Sequence, residues 1–242
     1  MVIDCFPESL ARYRGDYTIV AVDVFRATTT ALTALVLGRR CFPVPTLEAA
    51  VELAERMPGA LLAGELGGYT PYGFSLDNSP AALADRSDVE RPLILLSTAG
   101  TRVICGAQPR QAVYVACLRN HRAQAEQLAA HHPRVALVGA GARGEFREED
   151  VLCCAWIAAA LVDRGYEVEG RYTESLIDRW RGAPAAAVAE GRSAEFLREI
   201  GCERDITFVL DHVDDTRAAA RLVGGELALV PAPDEVPSTG AR

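Results

Sequence analysis

Short apolar runs rich in β-branched residues alternate along this chain with segments of helical periodicity. Residues 18–22 (TIVAV), 93–96 (LILL) and 134–138 (RVALV) have the composition of buried strands. Residues 27–37 and 151–162 have the spacing of apolar helices. Strands that alternate with helices at such intervals predict an α/β protein with a largely parallel or mixed sheet.

The segment between the first of these strands and its helix combines an acid and a cation. Asp23 directly follows residues 18–22, Arg26 lies three residues later, and helical spacing continues from Ala27. A helix N-terminus offers unpaired N–H groups, an arginine adds a two-pronged donor, and an acid can hold a metal ion. This order of residues predicts a phosphate site. The alternative, that Asp23 and Thr28 only cap the helix, stays open on spacing alone.

The composition limits the classes of protein to which this chain can belong. Its 242 residues carry a formal net charge of −8 and include no lysine. This argues against a nucleic-acid-binding surface and excludes Schiff-base chemistry at a lysine side chain. Seven cysteines are scattered as in reduced cytosolic proteins, and no apolar run approaches the roughly 18 residues of a membrane helix. We expect a cytoplasmic protein without nucleic-acid or membrane partners, folded as one unit over residues 1–242 with a frayed, proline-rich tail at 232–242.

Acidic and cationic groups recur at the ends of the predicted strands. The acids are Asp23, Glu65, Asp77, Glu148, Glu149 and Asp150. The candidate phosphate donors are Arg26, Arg102, Arg143 and the amides of residues 97–101 and 139–144. Ligands of open α/β sheets bind outside the carboxyl ends of the strands, so these groups predict one site for phosphate-ester hydrolysis, with Mg²⁺ on carboxylate oxygens. Acids at 148–150 have a second interpretation, because first-turn acids stabilise the helix dipole without any catalytic role.

A glycine pattern offers a different hypothesis. Gly139, Gly141 and Gly144 match the G-x-G-x-x-G spacing of dinucleotide-binding loops. The match comes late in the chain, and no acid ends a following strand about 20 residues further on. A nucleotide-dependent oxidoreductase is therefore kept as an alternative.

Residues 23–30 (DVFRATTT) are the most distinctive of several short motifs in the chain. The further motifs are Gly64-Glu65, Asn78-Ser79-Pro80, residues 97–101 (STAGT), Ala140-Gly141 with Phe146 and Glu149-Asp150, Asp205-Ile206 and Pro231. In this order they resemble the motifs of the 2-phosphosulfolactate phosphatase family, whose signature D-V-[LF]-R-A-T-T-T is similar to residues 23–30. Together they extend over most of the chain, from about Asp4 to Pro231.

The resemblance implies a Mg²⁺-dependent phosphatase that hydrolyses 2-phospho-3-sulfolactate, a step of coenzyme M biosynthesis, or a related small phosphate monoester. It also implies a three-layer α/β/α fold, and we expect two similarly built subdomains that meet near residues 110–135. Catalytic roles are expected for Asp23, Arg26, Glu65 and Asp150. Metal binding is expected from Asp23, Glu149 and Asp150. Substrate binding is expected from Arg26, Thr28, Asn78, Thr98, Gly100 and Thr101.

Two positions depart from the family pattern. Leu66 stands where the family usually has arginine, and Ala99 stands where it usually has asparagine. Both changes remove polar groups from predicted site loops, and loss of a bidentate donor would weaken the binding of an anionic group. The physiological substrate therefore stays open, as does the alternative of a phosphometabolite-binding relative without turnover. A homodimer is the expected assembly for such an enzyme.

Overall fold

The structure, a computed structural model, describes residues 1–107, 111–142 and 144–231; Arg143 and the expected frayed tail at 232–242 lie outside the described residues. The strands are β1 (Val2–Cys5), β2 (Thr18–Val22), β3 (Cys41–Val44), β4 (Leu61–Gly64), β5 (Leu93–Leu96), β6 (Val113–Ala116), β7 (Val135–Gly139), β8 (Ala218–Val223) and β9 (Glu226–Pro231). The α-helices are α1 (Ala27–Val36), α2 (Leu47–Arg56), α3 (Pro80–Ala84), α4 (Gly100–Cys105), α5 (His121–His131), α6 (Glu148–Val162), α7 (Arg171–Trp180), α8 (Arg192–Glu199) and α9 (Glu203–Asp211). Residues Pro7–Arg12 and Ala185–Glu190 form 3-10 helices. In the described ranges, no helix combines the length and the apolar character needed to cross a bilayer.

Within the described residues, nine strands form one mixed sheet in the order β1-β7-β2-β6-β8-β9-β3-β5-β4. β1, β7, β2 and β6 are parallel to one another, and so are β3, β5 and β4. The antiparallel hairpin β8–β9 joins these two groups, because β8 pairs antiparallel with β6 and β9 pairs antiparallel with β3. The two parallel groups therefore run in opposite directions.

The twist of the sheet explains how loops from both groups can meet. Five strand-to-strand steps separate β2 from β5, so the usual twist of about 20–25° per step rotates these strands by roughly 100–125° relative to each other. This rotation offsets much of the antiparallel relation between the groups. The segments that follow β2, β4, β5 and β7 accordingly line one cavity.

Helices cover both faces of the sheet, because alternate residues of each buried strand point to opposite faces. In β2, Val20 and Val22 belong to the apolar core under α5, α6 and α7, whereas Ile19 and Ala21 belong to the core under α1 and α4. A smaller core forms where Ala50 of α2 packs against β3 and β5. This is the three-layer α/β/α architecture that the sequence predicts.

The local sequence pattern was misleading in one segment and left two alternatives open in another. Residues 9–13 predict an exposed connection, yet Ser9 and Tyr13 are buried, since their hydroxyls donate to the two carboxylate oxygens of Asp4 at 3.0 and 2.6 Å. Residues 206–210 (ITFVL) are compatible with a strand or a helix and lie within α9. The hairpin β8–β9 has no clear sequence signal because alanine-rich strands have low intrinsic β propensity, and packing between β6 and β3 decides their structure.

Candidate active site

A cavity of about 940 Å³ opens where the segments after β2, β4, β5 and β7 meet. Six of the predicted site residues line it: Asp23, Arg26, Glu65, Asn78, Thr98 and Asp150. The other four are outside the described lining: Thr28, Gly100, Thr101 and Glu149. Thr28 and Gly100 contact Asp23, Thr101 bonds to Ser97, and the charge of Glu149 acts on Asp150. These four residues therefore support the residues that line the cavity.

Asp23 occupies the turn between β2 and α1 and is only 8% exposed. Thr28 holds this turn in place, because its hydroxyl bonds to the main-chain oxygen and N–H of Asp23 at 2.7 and 2.9 Å. Burial, followed by the charge of Glu65, raises the pKa of Asp23 to about 7, although a bond from the Ala27 N–H opposes the rise. The Asp23 carboxyl therefore lies in surroundings that favour its neutralisation by a proton or a cation.

Glu65 follows β4 and is oriented by residues from two loops. Its Oε1 accepts from the N–H of Thr98 at 2.7 Å, and its Oε2 accepts from the Thr98 hydroxyl and the Gly68 N–H, both at 2.8 Å. The same hydroxyl accepts from the Gly67 N–H at 2.7 Å. Three hydrogen bonds thus fix the carboxylate of Glu65 in the cavity wall.

Asp150 lies in the first turn of α6 and points back towards the end of β2. Its Oδ1 accepts from the Val24 N–H at 2.8 Å, and its Oδ2 accepts from the Gly141 N–H at 3.2 Å. Burial, then the charges of Asp23 and Glu149, raise the pKa of Asp150, and the two N–H bonds oppose this rise. Asp150 therefore ties the segments after β2 and β7 to α6.

Glu149 is the most buried acid of this turn, with 1% of its surface exposed. Burial raises its pKa, and a bond from the side chain of Ser193 works in the opposite direction. Its Oε2 has no hydrogen-bond partner among the described residues. The neighbouring Glu148 differs, because it is bonded to Arg179 at 2.8 Å near the surface and fits the dipole-stabilising interpretation.

The glycine-rich loop after β7 does not have the arrangement expected for a pyrophosphate site. The N–H of Gly141 already donates to a carboxylate, that of Asp150. The helix that follows begins with three acids, Glu148 to Asp150, which would repel a pyrophosphate. The geometry argues against the dinucleotide hypothesis.

Arg26 is a buried cation held between two acids. Its Nη1 donates to Oδ2 of Asp77 at 2.8 Å and to Oδ2 of Asp205 at 2.7 Å. Burial lowers the pKa of Arg26, but the charge of Asp77 and the bond to Asp205 outweigh this effect and raise it. The peptide bond between Phe25 and Arg26 is cis. Arg26 thus faces the cavity as a permanently charged and well-oriented donor.

Asn78 lies on the wall next to Arg26 and is 4% exposed. Its main-chain oxygen accepts from the hydroxyl of Thr30, which anchors the backbone to α1. Its side-chain Oδ1 is buried and has no hydrogen-bond partner in the described part of the chain. A buried amide atom without a partner is unfavourable unless a ligand or water completes it, which fits the predicted role of Asn78 in substrate binding.

The sequence predicts that the amides of residues 97–101 bind phosphate, but in the structure three of them donate to other groups of the protein. The Ser97 N–H donates to the Thr101 hydroxyl, and the Thr101 N–H donates to the Ser97 hydroxyl, each at 2.9 Å. The Thr98 N–H is used by Glu65. These bonds make the loop rigid and leave those three amides committed to the protein itself.

Sequence reasoning missed two walls of the cavity. One is the 3-10 helix Pro7–Arg12, and the other is α8, which contributes Arg192, Ser193 and Phe196 among others. At the rim, Glu145 accepts from Arg147 and Arg192, and the predicted donor Arg102 pairs with Glu8 at 3.5 Å. The amphipathic pattern of α8 shows that one face is buried but not what the other face contacts, so no local signal was available.

The acids of the cavity fit a hard divalent cation by the chemistry of their donor atoms. Within the described ranges, no group of three or more His, Cys, Asp or Glu side chains is placed to hold a metal ion together. Mg²⁺ does not require such a group, since it usually binds through one or two carboxylates together with water and substrate phosphate. The charges of Asp23 and Glu149 add to the effect of burial in raising the pKa of Asp150, the charge of Glu149 also raises the pKa of Asp23, and Oε2 of Glu149 has no partner among the described residues. These carboxyls are therefore suited to receive a positive charge.

Comparison with known proteins establishes the family. The sequence model of 2-phosphosulpholactate phosphatase matches residues 5–216. The chain belongs to the 2-phosphosulfolactate phosphatase family. A probable 2-phosphosulfolactate phosphatase of Pseudothermotoga lettingae is 37% identical over 79% of this chain and 84% of its own length. One from Deinococcus radiodurans is 32% identical over 99% and 97%, and the 2-phosphosulfolactate phosphatase of Methanothermobacter thermautotrophicus is 34% identical over 84% and 85%.

The two departures from the 2-phosphosulfolactate phosphatase pattern lie in different surroundings. Ala99 lines the cavity, so a polar group that the family usually has there is absent from the wall. Leu66 is 39% exposed and lies outside the described lining, and its backbone pairs with Tyr69. Of the two departures, Ala99 is the one that changes the surface of the cavity itself.

Proposed function

We propose that this protein is a divalent-cation-dependent phosphatase that hydrolyses 2-phospho-3-sulfolactate, or a related small phosphate monoester, to the alcohol and inorganic phosphate. The observation that carries the proposal is that the carboxyls of Asp23, Glu65 and Asp150 line the same cavity, in a chain of this family. The names of its relatives support the substrate class. With phosphosulfolactate as substrate, the product would be sulfolactate, which the family resemblance assigns to coenzyme M biosynthesis.

Charge balance supports the need for a cation such as Mg²⁺. The charge of Arg26 is already matched by Asp77 and Asp205, and a phosphate ester dianion would be repelled by the acids on the wall. One or two of the predicted ligands Asp23, Asp150 and Glu149 would hold the cation, together with water and the substrate phosphate. When bound, it would neutralise the phosphate and stabilise the charge that develops on its oxygens.

The residues of the chain itself would orient the substrate and handle protons. Arg26 would bind an anionic oxygen of the substrate through its guanidinium, and Asn78 would complete the hydrogen bonds of a second polar group. Asp23 would either attack phosphorus as a nucleophile or accept a proton from the attacking water. Trapping a labelled phospho-aspartate during turnover would eliminate the direct attack of water.

The first experiment measures phosphate release from a panel of phosphate monoesters that includes phosphosulfolactate, with Mg²⁺ and with EDTA. We expect release that depends on the cation and is lost in Asp23→Asn. The matched control is Asp16→Asn, an exposed acid outside the described lining of the cavity, which should leave the rate unchanged. If the wild-type protein releases no phosphate from any ester, the proposal fails, and a phosphometabolite-binding role becomes the better interpretation.

A further inference from the structure

One buried carboxylate brings together three elements that are distant in the sequence. Asp205, in the first turn of α9, is 1% exposed. Its Oδ2 accepts from Nη1 of Arg26 at 2.7 Å, and its Oδ1 accepts from the Ser79 hydroxyl and from the Ala81 N–H at 3.2 Å. The same side chain therefore contacts both the start of α1 and the start of α3.

We propose that Asp205, together with Asp77, is a positioning residue that fixes the guanidinium of Arg26 in the orientation that binds the substrate's anionic group. This inference rests on the proposed function, since it assigns Arg26 to the substrate. Asp205 itself lies outside the described lining of the cavity, so it acts through Arg26.

The geometry supports positioning because both acids accept from the same nitrogen, Nη1 of Arg26. A guanidinium is planar, so fixing the direction of both bonds at one nitrogen fixes the plane of the whole group. Arg26 lies at the start of α1, three residues after Asp23, and its charge acts on the Asp23 carboxyl. A rotation of this guanidinium would therefore move the positive charge of Arg26 relative to the carboxyl of Asp23.

Asp205 is itself held firmly, as a positioning group must be. The Ser79 hydroxyl that donates to it also accepts from the Ala82 N–H at 3.0 Å and caps α3. Asp77 is fixed in turn, since its Oδ1 accepts from the Ser79 N–H at 3.2 Å. The residues at 77–79 and Asp205 thus form one hydrogen-bonded frame around Arg26.

The test compares Asp205→Asn with a structural control that changes a similar pair elsewhere. Asparagine keeps the shape of the side chain but removes the charge that holds Arg26. The control is Asp215→Asn, because Asp215 bonds the buried Arg119 through both oxygens at 2.9 and 2.8 Å, and neither residue is among the described residues that line the cavity. The measurements are the melting temperature, the Kd of inorganic phosphate with Mg²⁺ by calorimetry, and the steady-state constants with the best phosphate ester.

We expect both variants to melt at lower temperature, but only Asp205→Asn to bind phosphate at least about tenfold more weakly and to lose about 100-fold in kcat/KM, as misplaced binding groups typically do. If Asp205→Asn does not fold, Asp77→Asn provides the same test, because the side chain of Asp77 is 26% exposed and its replacement should disturb the fold less. Wild-type affinity for phosphate in the folded variant, or an equal loss in Asp215→Asn, would overturn the proposal. A wild-type protein that binds phosphate but releases none from esters would contradict the proposed function alone.

Discussion

Gly100 lies directly against the carboxylate of Asp23. A Cβ placed on Gly100 would be 2.2 Å from Oδ2 of Asp23 and 2.8 Å from the Cβ of Ala27. Only a residue without a side chain leaves room for the acid at the end of β2. The role of Gly100 is therefore steric, in addition to the substrate contact that the sequence predicts.

We predict that Gly100→Ala displaces Asp23 and lowers kcat/KM for the best phosphate ester by about 100-fold. The added methyl group also overpacks the start of α4, so the free energy of unfolding should fall by about 1–3 kcal/mol. Steady-state kinetics and urea unfolding measure the two effects. The control is Gly38→Ala, which strains a residue at φ +79° but meets no atom within 4 Å. It should lose some stability and no activity; equal activity of both variants would contradict the role of Gly100.

Thr98→Val tests whether the hydrogen bond from the Thr98 hydroxyl is needed to orient the carboxylate of Glu65. Valine keeps the volume but removes the hydroxyl that donates to Glu65 and accepts from the Gly67 N–H. We expect kcat/KM to fall by roughly 10–100-fold, the size of loss that follows when a group orienting a functional side chain is removed. Thr46→Ala provides the comparison, because it removes the N-cap of α2 at about 1 kcal/mol of stability and should not change the kinetics. An unchanged rate in Thr98→Val would show that the hydroxyl bond of Thr98 is not needed and that the two main-chain bonds suffice to orient Glu65.

Asn78→Ala should separate binding from stability. Because Oδ1 of Asn78 has no partner among the described residues, removing it breaks no bond that this atom makes within that part of the chain. The free energy of unfolding should change by less than about 1 kcal/mol, while KM for the phosphate ester rises roughly tenfold. A large loss of stability with an unchanged KM would assign Asn78 a purely structural role.

Asp88→Asn should destabilise the fold without affecting the site. Asp88 accepts from Arg39, Arg86 and Arg91, and Arg39 is 1% exposed, so its guanidinium would remain buried without its counter-charge. We expect a loss of about 1–3 kcal/mol in the free energy of unfolding and unchanged kinetic constants at permissive temperature. If Asp88→Asn loses activity even at temperatures where it is fully folded, Asp88 affects the site as well as the stability, and the prediction is wrong.

The same acid predicts a pH dependence of stability. The bond from Arg86, with those from its neighbours, lowers the pKa of Asp88 well below its usual range. A lowered folded-state pKa adds stability that is complete above the unfolded pKa of about 3.9 and is lost as the pH falls below it. Urea unfolding between pH 6 and about pH 3 should therefore show a smaller decline for Asp88→Asn than for the wild type. Parallel curves would show that Asp88 does not contribute.

Many residues of the site could be predicted from the sequence because they directly follow the strands. Asp23, Glu65 and Asp150 each follow or face a buried strand, and a local pattern of apolar and polar residues reveals such positions. The sequence did not predict the distances between these residues, their pKa values or the contact between Gly100 and Asp23. They depend on how loops from oppositely directed parts of the sheet come together.

The α/β class, the acids at the strand ends and the family could be predicted from the sequence, since they follow from periodicity and motifs within short stretches of chain. Two features depend instead on the packing of the whole chain: Arg26 is held by Asp205, 179 residues further on, and the hairpin β8–β9 joins two opposed sets of strands. Local propensity acts over a few residues, whereas these contacts exist only when the whole chain has closed around its core. The direction of each site residue is therefore a property of the packed fold.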